Sequence, residues 1–189
     1  MNGERFFSPM AISNTELLIV ALVSLCGCAS VQTESHVEIG SKPICAAGTD
    51  LGATRVLLKT EWRSDQKEPI ERERMATDVI RAVFRDLPCG HLVEEQNTDA
   101  GAVDTRIEVT LREFGPELVL SIPVLWSSNT DVDATIRVTD VASGGLRFAI
   151  SERRKEGGAF AVKSLSDVPA TFESLLMDWI GKDDAGQRL

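Results

Sequence analysis

The chain has 189 residues, 29 of them acidic and 20 basic, for a formal net charge of −9, with 5 % aromatic residues and no tyrosine. An acidic chain without a basic patch is excluded as a nucleic-acid binder of ordinary type, because affinity there comes from neutralising phosphates. No polybasic cluster is present to press it onto anionic lipid.

The first element in chain order is the uncharged run Leu17 to Leu25. Its length falls in the roughly 7–15 residue range of a signal-peptide h-region, short of the ~20 apolar residues that a spanning helix needs. The preceding segment holds Glu4, Arg5 and Glu16, so it is not clearly basic; a start at Met10 instead of Met1 would remove the first two. The run is followed by Leu25-Cys26-Gly27-Cys28, which resembles the lipobox of bacterial lipoproteins. The resemblance implies cleavage before Cys28 and acylation of its thiol and new amino group. Two or three acyl chains make membrane attachment stable, where one would not. Ala29 stands where an Asp would favour inner-membrane retention, so the resemblance implies the periplasmic face of the outer membrane. The other reading of the run is a buried core helix with two chance cysteines.

Removal of residues 1–27 from the 189-residue chain leaves 162 residues with a formal charge of −8, since Glu4, Arg5 and Glu16 go with them. That is enough for one domain with its own core. Two thiols remain besides Cys28, namely Cys45 and Cys89, each in a loop-like setting (Pro43-Ile44-Cys45, Pro88-Cys89-Gly90). An oxidising periplasm favours a bridge between them over two unrelated buried thiols. Residues 28–54 show no sustained period and are rich in Ser, Thr, Gly, Pro and Lys, which predicts a lipidated tether.

The folded domain is expected over 55–181. Arg55 to Trp62 alternates as a strand, with Val56, Leu58, Thr60 and Trp62 on one side. Pro69 opens an amphipathic helix to Leu87, whose stripe is Met75, Ala76, Val79, Ile80, Val83, Phe84 and Leu87. His91 to Glu94 reads as a short strand, so a crossover onto a sheet is expected. Thr105 to Phe114 is the next strand, with Ile107, Val109 and Leu111 inward, and Gly115-Pro116 reads as a turn. Leu118 to Trp126 follows as an apolar strand interrupted by Pro123, which suggests an edge or bulge. Val132, Ala134, Ile136 and Val138 face inward on the next strand, and Ser143-Gly144-Gly145 makes a hairpin loop. Leu146, Phe148 and Ile150 lie on the returning strand. Arg153 to Gly158 reads as a charged loop, and Ala159 to Lys163 as a further short strand. The last helix runs from about Asp167 to Ile180, capped by Ser166 or Asp167 and ended by Gly181, with a frayed tail at 182–189.

The expected fold class is therefore α+β: one mixed sheet with two amphipathic helices packed on one face, in the order β-α-β-β-β-β-β-α. Element order and lipobox together resemble periplasmic auxiliary lipoproteins of lipid-trafficking ABC transporters. That resemblance implies a binding or assembly role.

The residues offer no reaction. The two histidines, His36 and His91, lie in no spaced metal pattern, and no G-x-S-x-G elbow or Walker loop occurs. In Cys89-Gly90-His91 the thiol follows a helix, where its pKa would not fall, so a half-cystine is the better reading. Asn129, Asp131 and Asp133 carry oxygens at alternate positions, yet lack the Gly and late Glu of a calcium loop, and a solvated strand face is favoured. No catalytic residue, metal or cofactor is assigned. The functional candidates are Cys28 for lipidation, Cys45 and Cys89 for a disulfide, and Leu118, Leu120, Ile122, Pro123, Leu125 and Trp126 for partner binding. This last stretch reads either as a buried strand beneath the helices or as an apolar edge meeting a partner protein, a lipid or the membrane. The expected function is a non-enzymatic envelope accessory with a protein partner, or alternatively a carrier of a small apolar ligand between sheet and helices.

Overall fold

The computed structural model describes residues 30–63, 68–93, 103–122, 125–157 and 161–181, without the side chains of residue 30, 118–122 and 125–126. The expected signal peptide, Cys28, Pro123, Glu94 and the tail at 182–189 lie outside the described residues. The elements are β1 (Ser30–Ile39), β2 (Ala53–Thr60), α1 (Pro69–Arg85), β3 (His91–Leu92), β4 (Thr105–Ile122), β5 (Leu125–Asp140), β6 (Leu146–Gly157), a 3-10 turn (Leu165–Asp167) and α2 (Val168–Ile180). They form a single mixed sheet in the order β1-β6-β5-β4-β2-β3, with two helices. This is the expected α+β architecture.

Alternation decides which face the helices cover. Ile107, Val109 and Leu111 of β4, Val132, Ala134, Ile136 and Val138 of β5, and Phe148 and Ile150 of β6 are all buried. They share one core with Ala76, Ile80, Val83 and Phe84 of α1 and with Phe172, Leu175, Leu176, Trp179 and Ile180 of α2. The rings of Phe114 and Phe172 meet edge to face at 5.7 Å, a favourable aromatic geometry. The parallel pairing of β2 with both β3 and β4 follows from the α1 crossover. Gly181 ends α2 in the left-handed region, its N–H donating to Met177 at 2.9 Å.

Several boundaries differ from the sequence expectation, each for a physical reason. The expected tether at 28–54 contains β1, which pairs antiparallel with β6 from Ser30↔Gly157 to Ile39↔Ala149. Residues 31–39 are exposed throughout, so β1 carries no inward-facing apolar period to read. The loop after it is pinned as well: Ile44 N–H donates to Trp179 O at 2.7 Å, and Leu51 N–H to Cys89 O at 2.7 Å.

Gly115-Pro116 is not a turn. Strand β4 runs through it, with Gly115 opposite Asp131 and Pro116 opposite Thr130. Pro116 is tolerated because β2 ends its pairing at Leu111, leaving that stretch of β4 without a ladder on its outer side. Gly115 is required because Arg72 of α1 lies across it: a Cβ there would stand 1.8 Å from Arg72 Nη1. The Arg72 guanidinium, buried and lowered in pKa by that burial against the opposing pull of Glu113, donates to the Phe114 carbonyl.

Arg153 to Gly157 is likewise no loop, since β6 continues to Gly157; Gly158 lies outside the described residues. Its charges read as solvated but alternate between two occupied faces. The 3-10 turn precedes α2, and Asp167 turns back to accept from Ser164 N–H at 2.7 Å instead of capping α2 with its side chain. That bond, with the Ser164 hydroxyl second, holds its carboxyl below the usual range. Within the expected strand at 159–163, Ala161 O accepts from Ser128 N–H at 2.8 Å and Lys163 N–H donates to the Ser128 hydroxyl at 2.7 Å.

Candidate functional site

The expected partner-binding stretch is not one strand. Leu118 to Ile122 are the last residues of β4, and Leu125 and Trp126 are the first of β5, with Ser121 opposite Trp126 and Ile122 opposite Leu125. The chain thus reverses within the stretch, and its two halves pair with each other. β6 pairs with β5 only as far as Thr130↔Glu156. Toward the tip, the described residues that touch the arm's edges by backbone are Ala161 and Lys163, both at Ser128. The sheet therefore extends as a two-stranded arm from the row Val31, Glu156, Thr130 and Pro116, which crosses β1, β6, β5 and β4.

Cys28 precedes Ser30 by two residues, and Ser30 begins β1 at the sheet end from which the arm leaves. Two extended residues span at most about 7 Å. From Pro116 to Ile122 the arm adds six residues, about 20 Å at strand rise.

A charge network braces the base of the arm on the face away from the helices. Asp131, with a side chain 3 % exposed, accepts from Arg153 Nε at 2.9 Å and lies 3.8 Å from Arg63 and 3.9 Å from Lys155. The hydrogen bond to Asp131 raises the Arg153 pKa against the burial that would lower it. Lys155 also pairs with Glu117, and Arg63 Nε donates to Glu113 at 2.9 Å. Asp133 lies 3.5 Å from Arg112. Asp131 and Asp133 are thus engaged with cations, and Asp131 is buried among them, so this part of β5 is not the solvated strand face that the sequence suggested.

On the helix side, a second cluster was missed by the sequence reading. Glu152, wholly buried, accepts from Arg154 Nη2 at 2.9 Å, from Trp179 Nε1 at 3.0 Å, and from Lys42. Arg154 also donates to Ser174 at 2.9 Å and pairs with Asp178 of α2. Burial works against the Arg154 charge, but Asp178 and Glu152 more than restore it, and its pKa is raised. The available signal was the unbroken alternation Phe148, Ile150, Glu152, Arg154, Glu156. Thr171 joins Thr130 at 2.7 Å and Glu156 at 3.1 Å, carrying the polar seam toward the arm.

The bridge is present: Cys45 and Cys89 are joined at 2.03 Å, with Cα atoms 5.3 Å apart, so Cys89 is a half-cystine beside an exposed His91. His36 lies on exposed β1, remote in the sheet from His91 on β3. Among the described residues, no group of three His, Cys, Asp or Glu could hold a metal ion, and no helix is long and apolar enough to cross a membrane. Between sheet and helices, Phe84, Phe114, Phe172, Leu175 and Trp179 fill the space without solvent exposure. An open groove of about 420 Å³ lies instead at the far end of the sheet, lined in part by Arg106, Glu108, Arg137 and Asp140.

No family model and no curated protein matches this chain. Solved structures similar to it include the PelC dodecamer from Paraburkholderia phytofirmans, at 12 % identity and a TM-score of 0.43, over 81 % of this chain and 97 % of that one. Lipoprotein GNA1162 from Neisseria meningitidis is similar at 14 % identity and a TM-score of 0.39, over 68 % of this chain and 96 % of that one. Protein XCC0632 from Xanthomonas campestris is similar at 12 % identity and a TM-score of 0.39, over 74 % and 85 % respectively. Bacterial lipoproteins are thus among the structures it resembles, at a level of likeness that assigns no family or function.

Proposed function

We propose that this chain is a lipid-anchored envelope lipoprotein, held by acyl chains on Cys28 at the periplasmic face of the outer membrane. There it serves as a non-enzymatic binding or assembly accessory for an envelope protein partner, in a role such as envelope transport. The observation that carries this reading is Leu25-Cys26-Gly27-Cys28 at the end of an uncharged run, followed after Ala29 by the first residue of β1. Such a junction leaves almost no spacer between an acylated cysteine and a folded sheet. The filled space between sheet and helices favours an accessory that works through its surface over a carrier of a small apolar ligand.

Intact mass of the protein made in a Gram-negative host tests the anchor, wild type beside Cys28→Ser. Loss of residues 1–27 with an acyl-sized gain that the variant lacks is the expected result; an unprocessed, unacylated wild-type chain refutes it. Density separation of the two membranes then tests the address, and recovery in the inner membrane would overturn the outer-membrane assignment. A lipid retained stoichiometrically through purification would favour the carrier.

A further inference from the structure

We infer that the groove between the outer sheet face and the β5–β6 hairpin binds a small organic monoanion, a carboxylate carried on a short apolar body. The carboxylate rests on Arg106 and Arg137, and the body lies against Val141 and Leu146. The inference goes beyond the accessory role proposed above and stands whether or not Cys28 is acylated.

Strand register puts the cations on one surface. Arg106 of β4 stands opposite Thr139 of β5, and Glu108 opposite Arg137. The residues that alternate with them, Ile107 and Val138, are buried in the core, so Arg106, Arg137 and Thr139 face away from the helices. The β5–β6 connection forms a further wall of the groove of about 420 Å³, through Val141, Gly144 and Leu146. That wall is already braced. Asp140 N–H donates to Gly145 O and Gly144 N–H to Asp140 O, each at 2.9 Å, while the Asp140 carboxylate accepts from Ser143 N–H at 2.8 Å. A preformed wall spares a ligand the cost of ordering it.

Charge pairing leaves a cation over. Each acid at the groove holds donors of its own: Glu108 lies 2.6 Å from Lys59, Asp140 takes Arg147 as well as Ser143, and neighbouring Asp104 accepts from Ala53 N–H at 2.8 Å. Arg137 reaches Glu38 only at 3.7 Å, beyond hydrogen-bond length. Among the described residues, the Arg106 guanidinium meets no acceptor. Its direct partner across the parallel ladder is another arginine, Arg55 of β2, whose Nε is buried with no hydrogen bond among the described residues. Like charges directly opposite one another destabilise a sheet, and an anion on Arg106 relieves this pair. Arginine suits a carboxylate in particular, since its planar fork can offer two parallel N–H donors.

The surroundings also select the anion. Glu108 and Asp140 line the groove beside the arginines, so a single negative charge is balanced there and a second is repelled. Val141 and Leu146, 43 % and 37 % exposed, add apolar surface next to the cations. An apolar body on the carboxylate covers that surface, and acetate leaves it bare.

The test is calorimetric titration of the full chain in dodecyl maltoside micelles at fixed ionic strength, with protein-free micelles as the blank. The probes are hexanoate, acetate, inorganic phosphate and hexanol. Hexanoate is expected to bind saturably and more tightly than acetate or phosphate, and hexanol not at all. Arg106→Gln and Arg137→Gln should each weaken hexanoate by roughly tenfold, the loss of a charge-assisted bond. Leu146→Ser should bring hexanoate toward the affinity of acetate, and Arg81→Gln, on the exposed side of α1, should change nothing. Hexanoate binding that Arg106→Gln leaves within about twofold overturns the site, as does the absence of saturable binding or hexanol bound as tightly as hexanoate. Phosphate bound more tightly than hexanoate overturns the choice of a monoanion. Binding abolished by an equal concentration of chloride would mean an adventitious ion only and overturns the site as well.

Discussion

Glu152 is a wholly buried charge on which three parts of the fold converge. Its carboxylate is wholly buried and is shared by Arg154, Trp179 and Lys42, from β6, α2 and the loop after β1. Among the described residues, Glu152→Ala leaves Arg154, 7 % exposed, with Ser174 and the half-exposed Asp178, and strands the Trp179 indole N–H. Removing one partner of a buried ion pair costs roughly 3–5 kcal/mol, because the survivor stays buried and uncompensated. Asp178 still compensates part of the Arg154 charge, so the low end, about 3 kcal/mol, is expected. Glu152→Gln keeps the shape and one acceptor but loses the charge-assisted bonds, about 1.5–3 kcal/mol. Urea unfolding followed by tryptophan emission reads both, with an unchanged slope showing that stability alone has moved. Glu152→Leu combined with Arg154→Met should be more stable than Glu152→Leu alone, since no charge is then left buried without a partner. A Glu152→Ala cost below about 1 kcal/mol, or strictly additive effects in the double variant, would refute this reasoning.

Replacing Cys45 and Cys89 together by Ser opens a bridge across a sequence separation of 44, which on the chain-entropy argument costs about 4 kcal/mol, read as a lower urea midpoint than the oxidised wild type. Gly115→Ala puts a methyl 1.8 Å from Arg72 Nη1 and displaces the guanidinium from the Phe114 carbonyl, costing about 1–3 kcal/mol. In Arg72→Met the same Gly115→Ala change should cost much less, and an equal cost in both backgrounds would show that Arg72 is not what the glycine accommodates. Asp140 accepts from Ser143 N–H, then from the Ser143 hydroxyl and Arg147, and these bonds hold its pKa down at about 2. A depressed folded pKa contributes stability above the ordinary carboxylate range that is lost as pH falls toward about 2. A carboxyl NMR titration of Asp140 should show its midpoint there, and a midpoint near 4 would remove this prediction.

Sheet class and both helices were legible because their signals are local and periodic. Met75 to Phe84 recurs at helical spacing, and Ile107, Val109 and Leu111 at strand spacing, since each has one buried side. The errors fall where burial does not alternate with polarity. Exposed β1 has no inward apolar face to read, while β6 turns charged residues toward α2 because partners wait for them there. A sequence shows Glu152 and Arg154 as charges but not that Trp179, Lys42 and Asp178 close around them. The Gly115-Pro116 pair misled for the same reason: its cause is Arg72, 43 residues away along the chain. The apolar stretch from Leu118 to Trp126 was visible as a feature, but its division between two strands was not, because Ile122↔Leu125 pairing depends on where β4 and β5 meet.

These corrections converge on one mechanical consequence. β1 buries no apolar side chain, so its hold on the domain is the ladder to β6 together with whatever fixes its ends. At its C-terminal end, Lys42 reaches Glu152, Ile44 bonds Trp179, and Cys45 is tied to Cys89 after α1. If Cys28 carries the domain's attachment, a pull at the membrane passes along β1 into the same buried cluster that Glu152 organises. Weakening Glu152 should therefore loosen β1 before it unfolds the sheet. Amide exchange at residues 31–39 should rise in Glu152→Gln by more than at 132–138 in β5, where Val132, Ala134, Ile136 and Val138 remain buried. Equal acceleration in both strands would mean that β1 is held by its ladder alone and that the cluster serves only the core.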